Sequence, residues 1–176
     1  MATISRIGYG QVEPNHLSAQ RTGQIYAQLP AAAAITQLEN GQFVKYDPNA
    51  GKVNLTGSGE WMLVYNEEKV YKTEEGRKDF AMIPDNYIGG EMVPRVFKTN
   101  VGDIYTTNCV GAANSGPNAT YAGIAITAGA YLTPTSTGYL VVDADGLSST
   151  AAMLWQVAKI TTMPDDQIAV KLVRVR

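Results

Sequence analysis

Ile168-Ala169-Val170-Lys171-Leu172-Val173-Arg174-Val175 alternates over its full length, and it decides the fold more directly than any other stretch. A period of two puts Ile168, Val170 and Leu172 on one face of a strand and into a core, with Val173 or Val175 beside them. Met163-Pro164-Asp165-Asp166 before it is a turn. Before that turn, Trp155 to Ile160 (WQVAKI) alternates in the same way, although Thr150 to Thr162 would also admit a helical start. Gly138 to Val142 and Tyr121 to Leu132 supply further strands, and Asp145-Gly146 is a turn. Ile104-Tyr105-Thr106-Thr107 is rich in β-forming residues and follows a turn at Val101-Gly102-Asp103. Toward the N-terminus come Trp61 to Tyr65, Lys52 to Leu55 and Phe43 to Tyr46, separated by Gly57-Ser58-Gly59 and Asp47-Pro48-Asn49-Ala50-Gly51. Asn40-Gly41, a dipeptide that tolerates positive φ, opens this set. Short strands divided by turn chemistry predict an all-β fold with minor α content. They would form compact β-barrel or β-tulip-like modules.

Two such modules are expected, residues 31–90 and 91–176, on either side of the polar segment Asn66 to Asn86. That segment reads as a solvated loop. Met1 to Pro30 (MATISRIGYGQVEPNHLSAQRTGQIYAQLP) is different, because it has neither helical nor strand periodicity yet keeps large apolar groups. Ile4, Ile7, Tyr9, Val12, Leu17, Ile25, Tyr26 and Leu29 are spaced by Gly, Gln, Asn, Ser and Thr, as in an extended arm that drops side chains into pockets of another surface. Residues 1–30 are therefore expected to be a partner-binding arm. Ile25, Tyr26 and Leu29 are its best anchors, because large apolar and aromatic groups bury the most area per ordered residue. Ile4, Ile7 and Tyr9 extend the apolar series, and Arg6 and Arg21 are candidates for charged contacts.

Composition removes several classes of function. Fourteen Lys and Arg face 16 Asp and Glu, so the net charge is -2 and no basic surface is available for nucleic acid. No stretch approaches the roughly 20 apolar residues of a membrane span. The N-terminus lacks the pattern of a secretory leader, so a reducing interior is the expected place of synthesis. Cys109 is the single cysteine, which excludes an intrachain disulfide and a multi-cysteine metal site. It is expected as a small buried hydrophobe. Ten Tyr beside three Phe suit strands and protein interfaces.

No catalytic constellation is legible, and no cofactor or metal site is expected. The only histidine, His16, lies in the unpatterned arm, where a base would not be held rigidly. Glu67-Glu68, Glu74-Glu75 and Asp165-Asp166 are adjacent carboxylates that point different ways, and they read as surface charge. Gly8-Tyr9-Gly10 and Gly57-Ser58-Gly59 lack the further glycine and helix of a phosphate loop. Trp61 and Trp155 could stack on a sugar, but both sit in apolar strand runs and are expected in the core.

Leu38 to Val44 (LENGQFV), Lys52 to Leu55, Val101 to Asn108 (VGDIYTTN), Gly138 to Gly146 (GYLVVDADG) and the closing AVKLVRV together resemble the decoration, or cement, proteins of tailed-bacteriophage heads. The likeness spans Leu38 to Arg176 and is one of style and turn placement. It implies a non-enzymatic virion protein, made in the host cytoplasm, that sits on the outer capsid surface and bridges neighbouring major capsid subunits to stabilise the head. Its partners would be the major capsid protein and copies of itself, commonly as a trimer. A thirty-residue arm is long for that family, so other virion roles (tail-tube, head-completion or fibre-anchoring protein) stay open, as does, further off, a carbohydrate-binding β-module. Independently of the likeness, an arm that orders on binding loses about 1 to 2 kcal/mol of backbone entropy per residue, which calls for a large repeated interface.

Overall fold

A computed structural model of the chain describes residues 2–5, 7–17, 27–66, 80–111 and 120–176. Its strands are β1 (Ala2–Ser5), β2 (Val12–His16), β3 (Ala27–Gln28), β4 (Phe43–Asp47), β5 (Lys52–Asn54), β6 (Trp61–Val64), β7 (Arg95–Phe97), β8 (Ile104–Thr107), β9 (Thr120–Ile126), β10 (Tyr131–Pro134), β11 (Leu140–Asp143), β12 (Trp155–Thr162) and β13 (Ile168–Arg174). The fold is all-β, with two large antiparallel sheets, one of them curled into a half-barrel. One sheet has the order β11-β10-β12-β13-β8-β2 and the other β3-β7-β6-β4-β5, while β1 and β9 form a separate two-stranded ribbon.

The layers follow from β6. Trp61-Met62-Leu63-Val64 is apolar at every position and buried at every position, as a strand covered on both faces must be. Its pairings Phe43↔Leu63 and Leu63↔Phe97 define one face, and Val44↔Met62 and Val64↔Val96 define the other. On the first face Phe43, Trp61 and Leu63 join Tyr105, Leu132, Trp155, Val170 and Leu172 of the six-stranded sheet in one core. On the second face Val44, Met62 and Val64 pack with Ala31, Ile35, Leu38, Met82 and Met92. Three layers result: a six-stranded sheet, a five-stranded sheet and a cover of irregular chain.

This architecture does not divide at residue 90. β7 lies between β3 and β6 in the sheet built mainly from the first half, paired to β6 at Leu63↔Phe97 and Val64↔Val96. Phe43 and Trp155 meet directly, with ring centroids 6.0 Å apart, so residues 31–90 and 91–176 share a core. Of the polar segment expected to separate them, residues 67–79 lie outside the described residues. In β13, Val170 and Leu172 are buried but Ile168 is 37% exposed, contrary to expectation. The reason is register: β8 covers β13 only from Val170 to Val173, and Ile168 extends past it toward the turn, opposite Thr162.

Candidate functional site

The N-terminal stretch, expected as an arm reaching another surface, splits into parts of different character. Residues 2–5 form β1 and pair with β9 in the register Ala2↔Ile126, Thr3↔Ala125 and Ser5↔Thr120, with an irregularity after Thr3. Residues 7–17 belong to the chain's own body. β2 is the edge strand of the six-stranded sheet, paired to β8 through Val12↔Thr107 and Glu13↔Thr106, and Val12 and Leu17 are core residues. The expectation of an arm free of the body is corrected there: β8 offered an unpaired edge, and an edge strand can carry Pro14 and polar residues without strong periodicity of its own.

Buried polar side chains hold this stretch. The Gln11 amide N–H donates to Asn108 Oδ1 at 2.7 Å, and Gln11 Nε2 donates to Asp165 Oδ2 at 2.8 Å. Gln167 receives the Ile7 amide at 2.6 Å and Asn108 Nδ2 at 3.3 Å on its Oε1, and donates its own amide to Asp165 Oδ2 at 2.6 Å. The Thr107 hydroxyl donates to the Gln11 carbonyl at 2.6 Å. For Asp165, burial alone would raise the pKa, but the hydrogen bonds from Gln11 and Gln167 outweigh it and hold the carboxyl below its ordinary value. Asp165 is thus part of a latch between the chain's two ends, and not the plain surface charge its sequence context suggests.

Next to the latch, two glycines make room for contact. A Cβ on Gly10 would stand 2.7 Å from the Asn40 carbonyl and from Cys109 Sγ, and one on Gly41 would stand 2.6 Å from Cys109 Cβ. Gly41 also has a φ of 96°, where a side chain is strained. Cys109 is buried between them.

Glu39, fully buried, organises the same region. It accepts the Gly10 amide at 2.6 Å, the Tyr139 hydroxyl at 2.6 Å and the Gln37 amide at 2.9 Å, while its own N–H donates to Gln42 Oε1 at 2.7 Å. Gln42 in turn donates to the Thr137 carbonyl at 3.1 Å. These bonds fix the walls of an open groove of about 280 Å³, floored by Ile35, Leu55 and Tyr139 and rimmed by Thr36, Gln37 and Ser136. No charged side chain lines it. Sequence reasoning found the Asn40-Gly41 turn but missed Glu39 as its hub. The available signal was a polar run, Glu39 to Gln42, enclosed by two core positions, Leu38 and Phe43.

Of the anticipated anchor residues, the structure describes the side chains of Ile7, Tyr9 and Leu29. Ile7 is exposed, Tyr9 is half-buried, and Leu29 packs against the second core beneath the five-stranded sheet. The backbone of Ile4 runs in β1. Arg6, Arg21, Ile25 and Tyr26 lie outside the described residues. His16 ends β2, opposite Ile104. Trp155 is fully buried and Trp61 nearly so, the latter under the Lys45 ammonium at 4.5 Å, so neither offers an open stacking platform. Tyr105 meets Trp155 edge-on at 4.8 Å, and burial, followed by the charge of Cys109, pushes its hydroxyl well above the usual tyrosine value. Among the described residues, no group of three or more His, Cys, Asp or Glu is placed to hold a metal ion, and no helix is long and apolar enough to cross a membrane. No protein-family model, curated protein or solved structure matches the chain.

Proposed function

We propose that the chain is a structural, non-catalytic virion protein that binds the outer surface of a tailed-phage capsid and bridges neighbouring major capsid subunits, with copies of itself as further partners. The observation that carries this reading is the β1–β9 ribbon. Two strands on their own make a marginal sheet, and neither outer edge of this ribbon has a strand beside it among the described residues. An extended segment of a capsid subunit can add along such an edge through main-chain hydrogen bonds, while the locked latch at residues 7–17 transmits load into the body. Copies arranged around a symmetry axis then gain avidity without stronger single contacts. A tail-tube, head-completion or fibre-anchoring role would use the same ribbon and is the second reading.

The test is cosedimentation with empty, undecorated capsids of the chain's own virus, comparing the full chain with one lacking Met1 to Ser5. Saturable binding at a symmetry-related stoichiometry is expected for the full chain. The truncated chain should bind at least tenfold more weakly, about 1.4 kcal/mol, with melting little changed. Failure of the full chain to bind, or undiminished binding by the truncated one, would sink the proposal.

A further inference from the structure

The two large sheets end in four edge strands, and among the described residues three of these are blunted against a further strand. β2 carries Glu13 and Pro14, and β3 is two residues long. β5 is covered by its own chain, Val53 N–H donating to the Pro30 carbonyl and Ala32 N–H to the Val53 carbonyl. Charge, proline, shortness and a cover are the usual protections of a sheet edge. β11 has such protection only at its first residue. Leu140-Val141-Val142-Asp143 pairs with β10 in unbroken register, with no bulge, proline or lysine. Its one charge, Asp143, is turned onto the loop that follows, where it accepts the Ser149 hydroxyl and the Asp145 amide.

The pairing fixes which way the peptide groups of β11 face. Thr135 N–H donates to the Tyr139 carbonyl, and Pro134, which has no N–H, stands opposite Leu140. Alternation therefore turns the N–H and C=O of Val141 and Asp143 toward β10, and those of Leu140 and Val142 away from it. Leu140 is covered, because its carbonyl accepts the Gly111 amide beside a parallel bridge with Val110. No strand among the described residues lies beside Val142. Its side chain shares the face of Leu140 and stands opposite Leu132, both fully buried in the main core, yet it is 38% exposed. The rim of that core is open at this point.

We propose that β11 pairs with β11 of a second copy, antiparallel about a two-fold axis at Val142. The shortness of the open edge argues for this partner. A peptide that has to order itself there gains two hydrogen bonds and loses more in backbone entropy. A second β11 is already extended and held by its own β10, so that loss does not arise. The two-fold axis sets Val142 opposite Val142 of the second copy, and each N–H meets the other's carbonyl. Both valine side chains then lie together on one face and cover the open rim. A contact of this isologous kind closes on itself and stops at a dimer. The inference rests on that part of the functional reading that names copies of the chain as partners, and it requires no capsid.

Sedimentation velocity over a concentration series of the full chain, without capsids, tests it. The wild-type chain is expected to pass from monomer to dimer. Val142→Pro removes the outward N–H and leaves the bonds to β10 in place, the position at which an edge strand accepts proline. Val142→Lys and Val142→Glu each set like charges opposite one another across the axis. All three should weaken dimerisation at least tenfold, with melting close to that of the wild type because the position is partly exposed. An equimolar mixture of the Lys and Glu variants should recover the dimer, since opposite charges then face each other. If the proline variant melts early, the charge pair decides alone. A wild type monomeric at every concentration, a trimer as the only assembled species, charge variants that dimerise like the wild type, or a mixture that stays monomeric would each overturn the proposal. None of these outcomes bears on capsid binding through β1.

Discussion

Two regions of this molecule invert the rule that apolar groups go inside and polar groups outside, and they invert it in opposite directions. The latch places Gln11, Asn108 and Gln167 in the interior with Glu39 nearby, while the tip formed by Pro84 to Val93 places Ile88 and Val93 in water. The latch is stable because its buried amides and carboxylates find partners, each satisfied group avoiding a desolvation cost of about 1 to 3 kcal/mol. The tip is held by the turn hydrogen bonds donated by Asn86, Tyr87 and Gly90, its remaining peptide groups face water, and its exposed side chains are not required by the core. Polar burial here is a commitment to one internal geometry, and apolar exposure marks side chains that the core does not use.

The largest test of this contrast is deletion. Removing Met1 to Leu17 takes away β2, two core side chains and half of the latch, and is expected to cost more than about 5 kcal/mol, so that the chain no longer folds. Replacing Ile88 and Val93 with serine should change stability by no more than about 0.5 kcal/mol each. Urea denaturation followed by circular dichroism measures both, and a stably folded deletion variant would show that the first seventeen residues are not part of the body.

A paired glycine substitution sharpens the same contrast. Gly41→Ala sets a Cβ 2.6 Å from Cys109 Cβ and 2.9 Å from Thr107 Oγ1 at a φ of 96°. Strain and overpacking together should cost about 3 to 5 kcal/mol. Gly89→Ala shares the positive φ but meets open space, so about 1 kcal/mol is expected. Similar losses at the two positions would mean that the latch yields more readily than its distances imply.

Asn108→Ala should fall lower in the series, at about 2 kcal/mol, because it strands the Gln11 amide in a buried site. The smallest effect is on pH dependence. Asp165 has a folded pKa below the ordinary 3.8, so its contribution to stability is present above the unfolded value and is lost as pH falls through the folded one. Denaturation midpoints at neutral pH and near pH 3 should therefore differ more in the wild type than in Asp165→Asn. Partial exposure keeps that difference small, and equal losses in the two proteins would remove Asp165 from the latch energetics.

Much of the body was legible because its decisive signals are local. The alternation at Val170 and Leu172, the uninterrupted Trp61 to Val64 run and the turns at Asp47 to Gly51 and Val101 to Asp103 each carry their own instruction within a few residues. β2 carries no such instruction. Val12-Glu13-Pro14-Asn15-His16 contributes one core side chain and becomes a strand only because β8 has an edge to fill. Asp165 and Glu39 were illegible for a related reason: nothing near them in sequence reveals partners at Gln11 and Tyr139. Ile168 was misplaced because alternation assigns a face but not how far the neighbouring strand extends along it.

The latch also sets a timetable. Ile7 binds Gln167 across 160 positions and Gln11 binds Asp165 across 154, so this stretch cannot close until residues far downstream of it have been synthesised. Such long-range closure makes folding slow. Until then residues 7–17 wait as an unsatisfied, strand-capable segment. Exchange of this segment between neighbours is consequently the misassembly to which the fold is most vulnerable, and the interval before closure is when its fidelity is decided.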